Sequence, residues 1–329
     1  MRRGFVFQGL VVAVVAIGVG SLVSVLTASR ELLFRDPPYP HPERLLRIEE
    51  TAPDGKPAEV ALQNFLDFQQ QSRSFAHMAA FRLRSFGLRT NDPSSKTRVI
   101  QVGLVTSDFF ATLGIDLSEG RSFTFEEEIA EAPVVVLTKA LGESPGGTLL
   151  LNEEARTVVG IVPEGFQFPN VSGGPIPDAY VPLSHRDYGF KRAVRSLTAI
   201  GRLRESVAIE KAEAELDAVA RRIALVHPDT NAGYGASLVP LKEALAGRNV
   251  VPVALLASSA LALFGIVLTN LASLFLVRLV SRGREMAVRT ALGARPRDLF
   301  ALVFTEALLM TLAGAASGLW LGALLLDSL

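Results

Sequence analysis

The sequence predicts a membrane protein: three transmembrane α-helices, with a large α+β extracytoplasmic domain between the first and the second. Three observations carry this prediction. Residues 4–29 contain no charged side chain, and two further apolar stretches, at about 251–277 and 299–326, match the roughly 20 helical residues that a bilayer core takes. The long region between the first two reads as an ordinary folded domain, with short strand-like and helix-like patterns. The loop between the second and third stretches carries Arg278, Arg282, Arg284, Arg289, Arg295 and Arg297 against only Glu285 and Asp298, the loading expected of a short cytoplasmic loop.

Composition bounds the function. The chain has 329 residues, 49% of them hydrophobic, and a mean hydropathy of +0.33. The apolar excess sits at the two ends. A formal net charge of zero predicts no nucleic-acid partner, and the lack of cysteine excludes disulfides and thiolate chemistry. The four histidines (His41, His77, His185, His227) are far apart and read as surface or loop residues. No catalytic, cofactor-binding or metal-binding constellation is legible.

In the first span, VVAVVAIGVGSLVSVL is the core. Arg2 and Arg3 followed by an apolar run also fit a signal peptide, but this run is about twice the roughly 7–15 residues of such a segment, which favours an anchor. The second span has Asn270 as its most polar member; the third has Glu306 as its one charge. Glu306 is expected one or two turns from the inner face, where it could snorkel, pair with Arg297 or cap a helix contact. The spans agree on orientation: Arg2 and Arg3 inside, 30–248 outside, 278–298 inside. Gly314 and Gly318 form a GxxxG spacing, which predicts close helix approach.

Between the first two spans, residues 45–50, 99–106, 133–137, 149–151 and 157–162 read as strands, 63–72 as a helix, and 107–114 as a short helix stopped by Gly114. The proline-rich stretch 163–190 reads as loop. A strand at 197–203, a helix at 208–226 with Ala212, Leu216, Val219 and Ile223 on one stripe, and a strand at 236–241 close the domain. Strand–helix–strand blocks flanking a β-rich middle predict an α+β domain with a β insert. The run Glu126-Glu127-Glu128 reads as a solvated acidic turn, and Gly146-Gly147 and 172–174 as turns. No phosphate-binding GxxxxGK[ST] loop, HExxH or GxSxG motif is present in the sequence.

At this point a family resemblance is visible. LLFRDPPYPHPERLLRIEE (32–50), VTSDFFATLGIDLSEGRSFT (105–124), APVVVLT (132–138), TVVGIVPEGFQFP (157–169) and above all NLASLFLVRLVSRGREMAVRTALGARPRDLFALVFTEALL (270–309) resemble the MacB-like and FtsX-like permeases of type VII ABC transporters, especially the large acidobacterial permeases. The resemblance implies a division into an N-terminal transmembrane helix (1–29), a MacB-like periplasmic core domain (30–248) and an FtsX-like permease domain (249–329). It implies a multi-pass protein of the bacterial inner membrane, N-terminus cytoplasmic, whose periplasmic domain is moved by a cytoplasmic ABC ATPase subunit (mechanotransmission) for efflux or export. A second permease copy or half, a periplasmic adaptor or outer-membrane partner, and membrane lipid are the further partners it implies. A compact helix within 283–293, stopped by Gly293 and restarted by Pro296, would be the ATPase-coupling helix, with Val288, Ala291 and Leu292 as an apolar stripe flanked by Arg284, Glu285 and Arg289. Family halves carry four spans and this sequence stops after the third, so it reads as a truncated permease; the stretch 139–150 is also shorter than expected. Two other functions share parts of the pattern: an FtsX-like regulator of a periplasmic cell-wall hydrolase, and a membrane-anchored extracytoplasmic enzyme, disfavoured by the missing catalytic constellation.

Overall fold

The computed structural model describes residues 2–34, 36–89, 97–171, 174–184 and 191–327. His185 and two of the residues read as a turn at 172–174 lie outside these described residues. The chain divides into two compact units, residues 36–248 and residues 1–35 with 249–329.

The first unit is the α+β domain. Its framework runs β1 (Leu45–Thr51), two short strands β2 (Pro57–Ala58) and β3 (Val60–Ala61), α2 (Leu62–Gln71) and β4 (Phe75–Arg89), preceded in the chain by α1 (Arg2–Phe34) of the other unit. An insert follows: β5 (Arg98–Val105), α3 (Phe109–Leu113), β6 (Glu119–Gly120), α4 (Phe125–Ile129), β7 (Val134–Leu137), β8 (Thr148–Leu151), β9 (Glu154–Ile161) and β10 (Ala179–Pro182). The framework then resumes with β11 (Arg195–Leu203), α5 (Ile209–Val226), α6 (Pro228–Asn231) and β12 (Gly235–Pro240). The sheet order begins β12-β1-β11-β4, with antiparallel neighbours, and continues β5-β10-β7-β9-β6. β1-α2-β4 and β11-α5-β12 are therefore two interleaved split β-α-β units. The insert extends the same sheet and does not form a second one.

The sheet is buried on both faces. Along β10, Ala179 and Val181 join the cluster containing Phe65, Phe68 and Leu216 from α2 and α5, while Tyr180 joins the other, with Phe109, Phe110 and Phe168. Period-two alternation between two apolar layers explains why β7 and β10 read as unbroken apolar runs, VVVL and AYVP. This corrects the reading of 163–190 as loop: β10 lies within it, parallel to β5. β4, the longest strand, escaped the sequence reading because its apolar run at 78–81 is followed by Arg82-Leu83-Arg84-Ser85-Phe86, in which polar and apolar residues do not alternate regularly.

The acidic run is also corrected. Glu126 and its neighbours form α4, closed by a capping box between Thr124 and Glu127. Glu128 is buried, accepting from the Ser107 N–H at 2.7 Å, and Glu127 binds Arg121. One of the three positions thus fixes the insert from within.

The second unit comprises α1, the long helix α7 (Leu241–Ser281), whose first turns belong to the α+β unit, α8 (Gly283–Ala291) and α9 (Pro296–Asp327). Stretches of α1 (Phe7–Arg30), α7 (Val250–Ser281) and α9 (Pro296–Ala323) are long and apolar enough to cross a membrane. The GxxxG expectation holds. A Cβ on Gly314 would lie 2.7 Å from Val15, and one on Gly318 2.6 Å from the Ala16 carbonyl oxygen, so α9 approaches α1 backbone to backbone.

Candidate functional site

α8 connects the two long helices α7 and α9. Its start is marked by the break at Arg282, whose N–H is shared between the carbonyls of Arg278 (3.1 Å) and Leu279 (3.2 Å). Its end is a Schellman closure: the Gly293 N–H binds the Thr290 carbonyl and the Ala294 N–H binds the Arg289 carbonyl, both at 3.0 Å, with Gly293 at φ +95°. A side chain is rarely tolerated at that φ, which is why glycine stands there. Three residues on, Pro296 opens α9, and the Asp298 carboxylate caps it by accepting from the Arg295 N–H at 3.1 Å.

The side chains of α8 are exposed apart from Met286, which is half-buried. Val288 and Leu292 are exposed by 55% and 83%, and Arg284, Glu285, Arg289 and Ala291 are exposed with them. Glu285 pairs with Arg289 one turn later at 3.0 Å and approaches Arg282 at 3.5 Å. Chemically this is a short amphipathic rod with open apolar and basic groups, suited to contact a surface rather than to hold a ligand.

Beneath it, Glu306 of α9 accepts from Arg278 and, at 2.6 Å, from Arg282. Of the three roles the sequence left open to it, the pair with Arg297 is not formed: Arg278 and Arg282, one turn apart where α7 meets α8, reach the carboxylate together. The Arg278 guanidinium also sits 4.3 Å above the Phe7 ring, and Phe7 meets Phe275 edge-on at 6.0 Å, so α1, α7 and α9 meet at this level. The sequence signal for this pairing was the i, i+4 spacing of two arginines opposite one intramembrane acid. Asn270, the polar residue singled out in the second span, is exposed on α7.

Elsewhere, a cleft of about 400 Å³ in the α+β domain is lined by Arg84, Glu131, Asn152, Glu154, Arg156 and Ser184, where acids and bases are interleaved. Among the described residues no group of three or more His, Asp or Glu side chains is placed to hold a metal ion.

A family model described as MacB-like periplasmic core domain matches residues 9–219, and one described as FtsX-like permease C-terminal matches residues 255–329. The chain belongs to this MacB/FtsX-like family of ABC transporter membrane permeases. Among similar proteins is the macrolide export ATP-binding/permease protein MacB of Chromobacterium violaceum, 28% identical over 244 residues, which is 70% of this chain and 35% of that protein. The protein of the same name from Nitrobacter winogradskyi is 26% identical over 236 residues, 67% of this chain and 35% of its own length. The chain thus spans about a third of the length of the curated relatives it matches. The crystal structure of the periplasmic region of MacB from Actinobacillus actinomycetemcomitans is similar at 14% identity and a TM-score of 0.43, over 66% of this chain and 94% of that one.

Proposed function

We propose that this permease component couples ATP hydrolysis by a separate cytoplasmic ABC ATPase to movement of a periplasmic domain, for efflux or export. In this reading residues 1–29 anchor the chain in the bacterial inner membrane with the N-terminus inside. Residues 30–248 form the periplasmic core domain, and 249–329 form the permease domain. A second copy or half of the permease completes the machine, and an adaptor or outer-membrane partner receives its output. The observation that carries the proposal is α8. A short rod between two spans, with Arg284, Val288 and Leu292 exposed and a glycine-fixed end, is the element a cytoplasmic motor could grip. The arginine loading of 278–298 supports the cytoplasmic side for it.

The test is stimulation of the partner ATPase in proteoliposomes. Reversal of Arg284 alone, and of Arg284 with Glu285, is expected to abolish stimulation while membrane insertion stays intact. Unchanged stimulation in both variants would remove α8 from the coupling role.

A further inference from the structure

Among the described residues, α8 buries none of its own side chains. At nine residues it is also shorter than the roughly 12–15 that let an isolated helix persist in water. Of its apolar side chains Met286 alone is even half-buried, so apolar packing does little to set its direction. What the structure supplies instead is an unbroken line of ionic contacts. Glu306 on α9 accepts from Arg282 at 2.6 Å; Arg282 lies 3.5 Å from Glu285 in the first turn of α8; Glu285 accepts from Arg289 at 3.0 Å. Arg278 holds the same Glu306 carboxylate from α7 while lying over Phe7 of α1, so the root of the line is fixed in the helix bundle and not in α9 alone.

We infer that Glu306 is a positioning residue that sets the direction of α8 through Arg282. Its carboxylate, 23% exposed, is shared between two guanidinium groups that are themselves 15% and 32% exposed. Without that charge, Arg282 keeps only its 3.5 Å contact to Glu285 on its own side of the joint, and the attraction that ties both guanidinium groups to α9 is lost. Arg282, at the N-cap of α8, swings away from α9 and carries the first turn of α8 with it. The consequence for coupling rests on the function proposed above; the placement of α8 does not.

The cysteine-free full chain allows a direct test in proteoliposomes. Spin-label pairs at Thr290→Cys with Ala301→Cys report α8 against α9, and Ile17→Cys with Leu319→Cys report α1 against α9. The native chain is expected to give a narrow distance peak for each pair. Glu306→Gln is expected to lose the narrow Thr290–Ala301 peak and to keep the Ile17–Leu319 peak, which separates loss of the joint from loss of the bundle. Arg282→Gln is expected to do the same, with recovery of the peak in Arg282→Lys, and it decides the matter if Glu306→Gln fails to insert. A Thr290–Ala301 peak unchanged in both variants overturns the inference. With ATPase added, stimulation in Glu306→Gln is expected to fall roughly threefold or more. A lost peak with full stimulation would leave the positioning role standing and count against the coupling reading.

Discussion

In the α+β unit, one buried polar network draws its members from five elements, β1, β3, α2, β11 and α6. Glu50 of β1, 1% exposed, accepts from the Ala61 N–H and the Asn64 amide, each at 2.9 Å, and from Arg195 of β11 at 2.6 Å. Asn231 of α6 joins Asn64 to Arg195, and the Arg195 guanidinium stacks 3.6 Å over Tyr234. The helical unit takes the other course. It brings α1 and α9 together through glycines that present bare backbone, and it places one ion-pair joint, Arg278 and Arg282 on Glu306, between α7 and α9. The difference follows from the solvent each unit is built for. In water, apolar burial holds the fold and polar networks specify it; in lipid there is no hydrophobic force between helices, so close backbone approach does that work.

The sharpest way to break this comparison is to remove Glu50. Glu50→Ala strands the Arg195 guanidinium, whose side chain is only 11% exposed. The expected loss is about 3–5 kcal/mol from the α+β unit, seen as early unfolding and proteolysis of residues 36–248 in the detergent-solubilised chain. A loss no larger than that of a surface substitution would mean the network is dispensable.

A smaller effect is expected at the glycine contact. Gly318→Ala places a Cβ 2.6 Å from the Ala16 carbonyl oxygen, and backbone cannot give way as a side chain tip would. About 1–3 kcal/mol should be lost from α1–α9 packing. Gly322→Ala, with its nearest neighbour at 3.4 Å, should be nearly neutral, and Gly9→Ala meets nothing within 4 Å. Cross-linking of α1 to α9 in the three variants reads the order; equal effects would show that close approach is not what joins the helices.

The smallest effect is a pH dependence confined to the α+β unit. The hydrogen bond from Arg121 holds the Glu127 carboxyl below the usual carboxylate range. At Glu215, desolvation raises the pKa, but hydrogen bonds from the Ser74 hydroxyl, the Arg73 and Ser74 N–H groups and Ser72 outweigh it and the net shift is downward. Because the folded forms hold their protons less tightly than the unfolded chain, stability is fully present above the ordinary carboxylate pKa of about 4.3 and is lost as pH falls through the lowered values. Thermal unfolding of Glu127→Gln and Glu215→Gln between about pH 5 and pH 3 should show a shallower decline than the native chain. An identical slope would assign the acid sensitivity elsewhere.

How far the sequence revealed this molecule also divides along the comparison. The spans were legible because lipid imposes a length and a charge rule that act locally along the chain. α5 was legible from the stripe of Ala212, Leu216, Val219 and Ile223, all of which are buried. The break at Gly293 and restart at Pro296 were legible because backbone geometry demands those residues there. What escaped depends on partners distant in sequence. β10 is four residues between prolines that become a strand only by pairing with β5 and β7. Glu306 pairs with Arg278 and Arg282, 28 and 24 residues away, and not with the nearer Arg297, because the turn through α8 brings the end of α7 within side-chain reach of α9. Glu128 was buried by Ser107, whose N–H it accepts from 21 residues away.

The proposed function requires the α+β domain and α8 to face opposite sides of one membrane. Single cysteines introduced at Ser206 and Ser281 in the cysteine-free chain can be labelled with a membrane-impermeant thiol reagent, on intact cells whose outer membrane has been permeabilised. The account predicts labelling at position 206 and protection at 281 until the inner membrane is opened. Labelling at 281 in intact cells would place α8 on the same side as the α+β domain, and would contradict both the orientation and the coupling built on it.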